Sequence, residues 1–389
     1  MFKSGSTRLI RNLNQQHILN LVRMFPGITG REISNQTGLQ ISTVLYTLKT
    51  LQKKGLIRSA GFGPTTTVGG KPPLKWRLNP EYGFILGIEL LSREARLVLL
   101  DFDQRLIASH IQTLPDGLSA KQVIRIIRQM IDEQLQSQRI ALNSVLGVGI
   151  GIPGTVDSEQ GIIEYAPAFP FIKLPFKNLL SKYIPLPIHI ENDANAGALG
   201  CKWLDPEEQM SENFIYLTIQ QKFSGMGVGF IIHHELYRGA HGASGEIANF
   251  LSPGRWQKIL AEVSSELGSG NRLLHKLEAF RTGRLPLSFL TNLAREGEAA
   301  AQTLLALIGA EIGSQIVHLI DLIDPQKIII GGDLCEAAQF LKPAIQSKIA
   351  KEVISQSARE IPVKFSSFAA LSGAYGGSAL VLRKIFRQF

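Results

Sequence analysis

The 389-residue chain holds two cysteines, Cys201 and Cys335, only 7% aromatic residues and, in its first 80 positions, a single acidic residue, Glu32. Each scarcity excludes something. Two cysteines far apart in sequence, with no Cys-x-x-Cys companion, build neither a disulfide framework nor a cysteine-rich zinc site, and they are expected as buried, inert thiols. No stretch of about 18 or more apolar residues stands out to span a bilayer. The start, Met1-Phe2-Lys3-Ser4-Gly5-Ser6-Thr7-Arg8, lacks the apolar run of a signal peptide, so a cytoplasmic protein without a membrane partner is expected. With 44% hydrophobic residues the chain can bury the cores of two or three folding units.

The shortage of acids makes the head strongly basic. Residues 1–80 carry 12 Lys/Arg against Glu32, a net +11, whereas residues 81–389 carry 29 Lys/Arg against 31 acids, a net −2. A short basic module on a near-neutral body is the electrostatic footprint of a nucleic-acid partner, the plainer alternative being a solvated basic extension. Apolar Ile18, Leu19, Val22 and Phe25 recur at helical spacing after Asn14, and Pro26-Gly27 closes that segment. A second helix fits Thr29 to Thr37, with Thr29 as cap and Glu32 three residues on, and Gly38-Leu39-Gln40 makes the turn. A third runs from about Ile41 to Lys54, with Val44, Leu48 and Leu51 inward. Two short strands, Leu56-Ile57-Arg58 and Leu74 to Leu78, joined by a Gly-, Thr- and Pro-rich loop, form a wing. Helix, glycine turn, helix and wing predict a winged helix-turn-helix over 1–80. The residues expected at DNA are Gln40, Ser42, Thr43, Tyr46, Thr47 and Lys49 on the recognition helix, Lys53 and Arg58 at phosphates, and Lys71 on the wing.

From Glu81 strands and helices alternate. Phe84–Glu89 and Arg96–Asp101 read as a hairpin, Leu118–Gln136 as an amphipathic helix, and Val145–Ile150 as a buried strand ending in Gly151-Ile152-Pro153-Gly154. The strand Ile188-His189-Ile190 runs into Glu191-Asn192-Asp193-Ala194-Asn195-Ala196, which begins a helix. Polar side chains at a strand end beside a helix N-terminus suit a ligand site, the plainer alternative for Asp193 being a helix cap.

The stretch Gly147–Asp157, the Glu191–Ala196 string, and Leu236-Tyr237-Arg238-Gly239-Ala240 leading into Gly242-Ala243-Ser244-Gly245-Glu246-Ile247 together resemble the ROK family of repressors, open-reading-frame proteins and sugar kinases. The resemblance implies an α/β fold: a two-lobed, actin-like (ribonuclease H-like) body over 81–389, with one lobe from 81–198 and 370–389 and the other from 199–369. It implies that Asn192 and Asp193 are the hexose-binding pair and that Glu246 is the glutamate of the glycine-rich signature, with Gly154 and Asn249 beside the sugar. In a kinase Asp193 would be the base that takes the proton of the attacking hydroxyl.

Three departures from the family pattern shape the expected function. Where ROK kinases read Asp-x-Gly-Gly-Thr this chain reads Glu89-Leu90-Leu91-Ser92-Arg93, placing side chains where nucleotide phosphates come close. The glycines of Ser224-Gly225-Met226-Gly227-Val228-Gly229 survive, behind a bulkier Gln220-Gln221-Lys222-Phe223. Asn249 stands in place of the family's histidine, and no cysteine lies between Leu251 and Ser265, so no metal site is expected. The expectation is a DNA-binding regulator, a repressor, homodimeric or homotetrameric, with operator DNA and a sugar effector as partners, no cofactor and no enzymatic activity. The alternative is an ATP-dependent sugar kinase carrying a DNA-binding head.

Overall fold

A computed structural model describes residues 7–64, 72–219, 225–248, 253–267, 279–280 and 285–387. The head is built from α1 (Thr7–Met24), β1 (Ile28–Thr29), α2 (Gly30–Thr37), α3 (Ile41–Lys53), β2 (Ile57–Phe62) and β3 (Leu74–Leu78). The first helix therefore begins seven residues before Asn14. The capping box is present as read: the Thr29 hydroxyl accepts from Glu32 N–H while Glu32 Oε2 accepts from Thr29 N–H at 2.8 Å. Gly38 ends α2 at φ 69°, a left-handed conformation that glycine reaches without a Cβ penalty. Strands β1, β3 and β2 form one small antiparallel sheet, and Ile18, Leu19, Val22, Ile33, Val44, Leu48 and Trp76 bury against each other beneath it.

The body contains two larger sheets. The first has the order β11-β7-β4-β5-β6, from β4 (Phe84–Leu90), β5 (Glu94–Asp101), β6 (Leu106–Thr113), β7 (Val145–Ile152) and β11 (Ile188–Asn192). Strands β4, β5 and β6 form an antiparallel meander, whereas β4, β7 and β11 run parallel. The amphipathic helix α4 (Ala120–Ser137) covers one face with Val123, Ile127 and Ile131. A side sheet, β8 (Thr155–Asp157), β9 (Ile162–Ala166) and β10 (Phe171–Leu174), sits beyond β7, followed by the short α5 (Phe176–Leu180).

The second sheet has the order β14-β13-β12-β16-β17 with β15 also on β13, from β12 (Phe214–Ile219), β13 (Gly225–Ile232), β14 (Glu235–Tyr237), β15 (Glu246–Ala248), β16 (Lys327–Ile330) and β17 (Val363–Phe365). Its outer helices are α7 (Pro253–Leu267), α8 (Leu287–Arg295), α9 (Ala299–Ile323) and α10 (Ala338–Glu352). Helix α9 corrects one expectation, because by length and composition it is apolar enough to cross a membrane. Its Leu304, Leu305, Ile308, Ile312 and Ile316 are instead buried in the core of this lobe, against α10 and the sheet. Cys201 is buried as expected, but Cys335 is only half-buried.

Between the two sheets lie α6 (Asp193–Leu204) and α11 (Ser372–Arg387). The boundary expected between 198 and 199 falls inside α6, which continues unbroken to Leu204. Small residues let α11 press onto the first sheet: a Cβ on Gly149 would stand 1.9 Å from the Gly377 carbonyl oxygen, and one on Gly87 would stand 2.0 Å from that of Ala374. Both obstacles are backbone and cannot rotate away. Gly149→Ala is expected to cost at least the ~1–3 kcal/mol typical of overpacking, measured as a lower urea midpoint; an unchanged midpoint would show that α11 has room to move.

Candidate functional site

The site is assembled where α6 begins. Asn192 is the helix cap: its Oδ1 accepts from Asn195 N–H at 2.9 Å, satisfying an orphan donor of the first turn. That corrects the plain reading of Asp193, which is the first helical residue rather than the cap. The Asn192 amide has a second use, donating to Glu246 Oε1 at 2.7 Å and to the Gly154 carbonyl at 3.0 Å. One side chain thus ties the end of β11, the turn after β7 and the start of β15. Gly154 can serve because its φ is 116° and a Cβ there would lie 2.1 Å from the Tyr165 carbonyl.

Asp193 is buried, and its Oδ1 accepts from Ala194 N–H at 2.9 Å. Gly227 of β13 passes beside it, so close that a Cβ would lie 3.7 Å from Asp193 Oδ1 and 3.0 Å from Ala194 Cβ. The alternating glycines of 225–229 are therefore not a free phosphate loop in the described residues. They lie in β13 and let it rest on the first turn of α6. Behind the site Glu191, also buried, receives two donors from Arg238, at 2.9 and 2.6 Å. Sequence reasoning gave neither residue a role, although Arg238 lies within the quoted Leu236–Ala240 motif.

Burial pushes the Asp193 carboxyl up to about 6 despite the Ala194 hydrogen bond. Burial, with the Asp193 charge adding to it, pushes Glu246 up to about 7. Glu246 is open to solvent on one side, which tempers its shift. Two acceptor-rich carboxylates, Asp193 and Glu246, grouped around the Asn192 amide can accept hydrogen bonds from the vicinal hydroxyls of a sugar. Of the residues expected at the sugar, Asn192, Asp193, Glu246 and Gly154 come together, and Asn249 lies outside the described residues.

A cleft opens between the sheets, lined by Glu89, Arg93, Glu94, Arg96, Thr218 and Asp333 among others. Arg96 is buried in it and binds Asp333 at 2.6 Å, Glu94 at 2.8 Å and the Ala370 carbonyl at 2.7 Å, with Glu89 at 3.8 Å. Asp333 belongs to the short 3-10 turn Gly332–Ala337 after β16, so this ion pair joins the two sheets. Glu89 Oε2 is buried without a hydrogen-bond donor, and burial pushes Glu89 up to about 8 although Arg96 opposes it. Arg93 turns outward to Asp116.

On the head, Ser42, Thr43, Tyr46 and Lys49 share the outer face of α3, and Gln40 and Lys53 are exposed at its two ends. Arg58 is half-buried. Thr47 is a correction: it is 3% exposed, because it lies three residues after Val44 and four before Leu51 and so belongs to their inner stripe. Lys71 lies outside the described residues.

With the geometry in place, comparison with known proteins is informative. The description "ROK family" matches residues 85–255 and 259–384, and "Winged helix-turn-helix DNA-binding" matches 11–58. The xylose repressor of Bacillus subtilis is 25% identical over 378 residues, covering 96% of both chains. The DNA-binding transcriptional dual regulator NagC of Escherichia coli is 24% identical over 394 residues, covering 97% of this chain and 94% of that one. Among solved structures, a ROK family transcriptional regulator homologous to the Escherichia coli MLC protein superposes with a TM-score of 0.75 at 20% identity, covering 97% of each chain. A ROK glucokinase from Streptomyces griseus, in complex with glucose and AMPPNP, superposes with a TM-score of 0.60 at 20% identity, covering 77% of this chain and 99% of its own.

The raised carboxyls give the site a pH signature. In the folded state Asp193 and Glu246 hold protons that the unfolded chain, with ordinary carboxyl values, releases near pH 4; the unfolded state therefore binds fewer protons between about pH 4 and 7. Their contribution to stability falls as pH rises through that window. Glu246→Gln should gain thermal stability over wild type as pH rises from about 4 to 7; a constant difference between the two proteins across the window would contradict the assignment.

Proposed function

The chain belongs to the ROK family, and from that premise we propose that it is a transcriptional repressor whose winged head holds operator DNA and whose cleft binds a sugar that releases it. One observation carries the reading: Asn192, Asp193 and Glu246 stand together at the start of α6, while a separate basic head presents the outer face of α3. The regulators to which the chain is similar along nearly its whole length are named for xylose and N-acetylglucosamine, so a neutral pentose or hexose, or its N-acetyl derivative, is the effector class.

Several features support a regulator over a sugar kinase. Glu89-Leu90-Leu91-Ser92-Arg93 puts side chains where the kinases of the family keep glycines, and the neighbouring cleft already holds the buried Arg96 with three carboxylates. The protein is cytoplasmic and works as a homo-oligomer, because paired heads on one duplex raise operator affinity without new contacts. The division into a head over 1–80 and a body over 81–389 stands as part of this proposal.

Two measurements test it. Operator affinity should fall linearly in log–log form with salt, and Lys53→Ala should reduce the slope by about 1 while weakening all sequences alike; an affinity indifferent to salt would contradict the phosphate-contact reading. Asp193→Asn and Glu246→Ala should lose release of operator by D-xylose or N-acetyl-D-glucosamine, with effector affinity lowered at least tenfold, as expected when a charge-assisted hydrogen bond of ~1.5–3 kcal/mol is removed. Turnover of ATP by wild type with loss in Asp193→Asn would establish the kinase instead.

A further inference from the structure

Arg23, in the last turn of α1, is a basic residue of the head that does not face outward. It is 8% exposed, and its Nη1 donates to the Trp203 carbonyl at 2.5 Å. The guanidinium carbon lies 4.5 Å from the centre of the Trp203 ring and 5.8 Å from that of Phe386 in α11. Its Nε reaches Asn20 Oδ1 at 3.4 Å. Burial draws its pKa down to about 10, which leaves it charged at neutral pH, and it forms no carboxylate ion pair among the described residues. A desolvated cation held by ring faces and one carbonyl depends steeply on where those groups stand.

Trp203 belongs to the last turn of α6, and the first turn of α6 holds Asp193 of the proposed sugar site. Twelve residues make a rod of about 18 Å. Every residue from Asp193 to Lys202 is buried, so the rod has no solvent-facing side on which to bend. Its far end is anchored again by Lys202, whose Nζ donates to the carbonyls of Gln209 and Ser211 at 2.5 and 2.7 Å and meets His234 Nδ1 at 2.9 Å. The head and this region share one continuous core, running from Ile18, Leu19 and Val22 of α1 through Phe102 to Leu199 and Phe386.

We propose that α6 carries the state of the cleft to the DNA head, with Arg23 as the positioning residue that registers the placement of Trp203. The proposal rests on the cleft being the effector site. Any change at Asp193 or in the Asn192–Glu246 contact acts on the first turn of α6 and shifts the helix as a unit, because its sides are closely packed. The shift moves the Trp203 ring and carbonyl together, and α1 follows through Arg23. Since α1 packs on α3, the recognition helix is reoriented relative to a second head on the same duplex.

The test compares amide hydrogen exchange of residues 18–24 in four full-length proteins: wild type, Asp193→Asn, Arg23→Lys and the double variant. Arg23→Lys keeps the charge but loses the planar stack, so the fold is retained while the register is lost. Asp193→Asn should change exchange in this segment at least threefold when Arg23 is present and by less than half as much in the Arg23→Lys background; Trp203→Phe should blunt the response in the same way. Equal responses in both backgrounds, or no response of residues 18–24 to Asp193→Asn, would overturn the relay. Neither DNA nor sugar enters this measurement. Failure of D-xylose and N-acetyl-D-glucosamine to release operator from wild type would therefore count against the effector reading alone.

Discussion

Close packing around α6 is the constraint on which the rest depends. A Cβ at Gly197 would lie 2.4 Å from the Tyr216 ring, one at Gly200 would lie 2.9 Å from Gly376 N, and one at Gly376 would lie 2.3 Å from the Ala196 carbonyl carbon. On the other side Gly229 would press a Cβ to 2.5 Å from the Ala194 carbonyl oxygen. Such contacts leave no space for side chains to absorb a displacement, and packed interfaces of this kind shift between discrete arrangements rather than deform. The N-terminus of α6 is held at the cleft by Asn192 for the same reason. The cap is made once, by one amide, and that amide also holds Glu246 and Gly154.

The body keeps the two-sheet plan of the solved ROK glucokinase, and a buried ion-pair network joins its sheets. Arg96 reaches from β5 to Asp333 beyond β16 and is buried among carboxylates. Removing one partner of a buried network strands the others, so such a network fixes a geometry even where its net stabilisation is small. Glu89 Oε2, 3.8 Å from Arg96 and without a hydrogen-bond donor, is consistent with a carboxyl that keeps its proton near neutral pH.

Local features of this fold were legible in the sequence. The Thr29–Glu32 capping box, the left-handed Gly38, the β4–β5 hairpin and the strand running into Asn192 all rest on residues a few positions apart, and each stands where the pattern places it. Asn192, Asp193 and Glu246 were legible through motif resemblance. The contacts that give them a setting were not, because Arg96–Asp333, Arg23–Trp203 and Arg238–Glu191 join residues 237, 180 and 47 positions apart, which neither periodicity nor spacing encodes. Thr47 shows the opposite failure: its spacing from Val44 and Leu51 places it inward, whereas it was expected at DNA on the outer face. Glycines 225–229 read equally well as a phosphate loop or as close packing, and only the proximity of α6 distinguishes the two.

The central claim is that one chain links a sugar cleft to a DNA head, and linkage is reciprocal: whatever factor the sugar imposes on operator affinity, operator must impose on sugar affinity. Calorimetric titration of the sugar that releases operator into the free protein, and into the protein saturated with operator duplex, measures this directly. The account predicts weaker sugar binding on the complex by the same factor by which that sugar weakens operator binding. Identical sugar affinity with and without operator would contradict it.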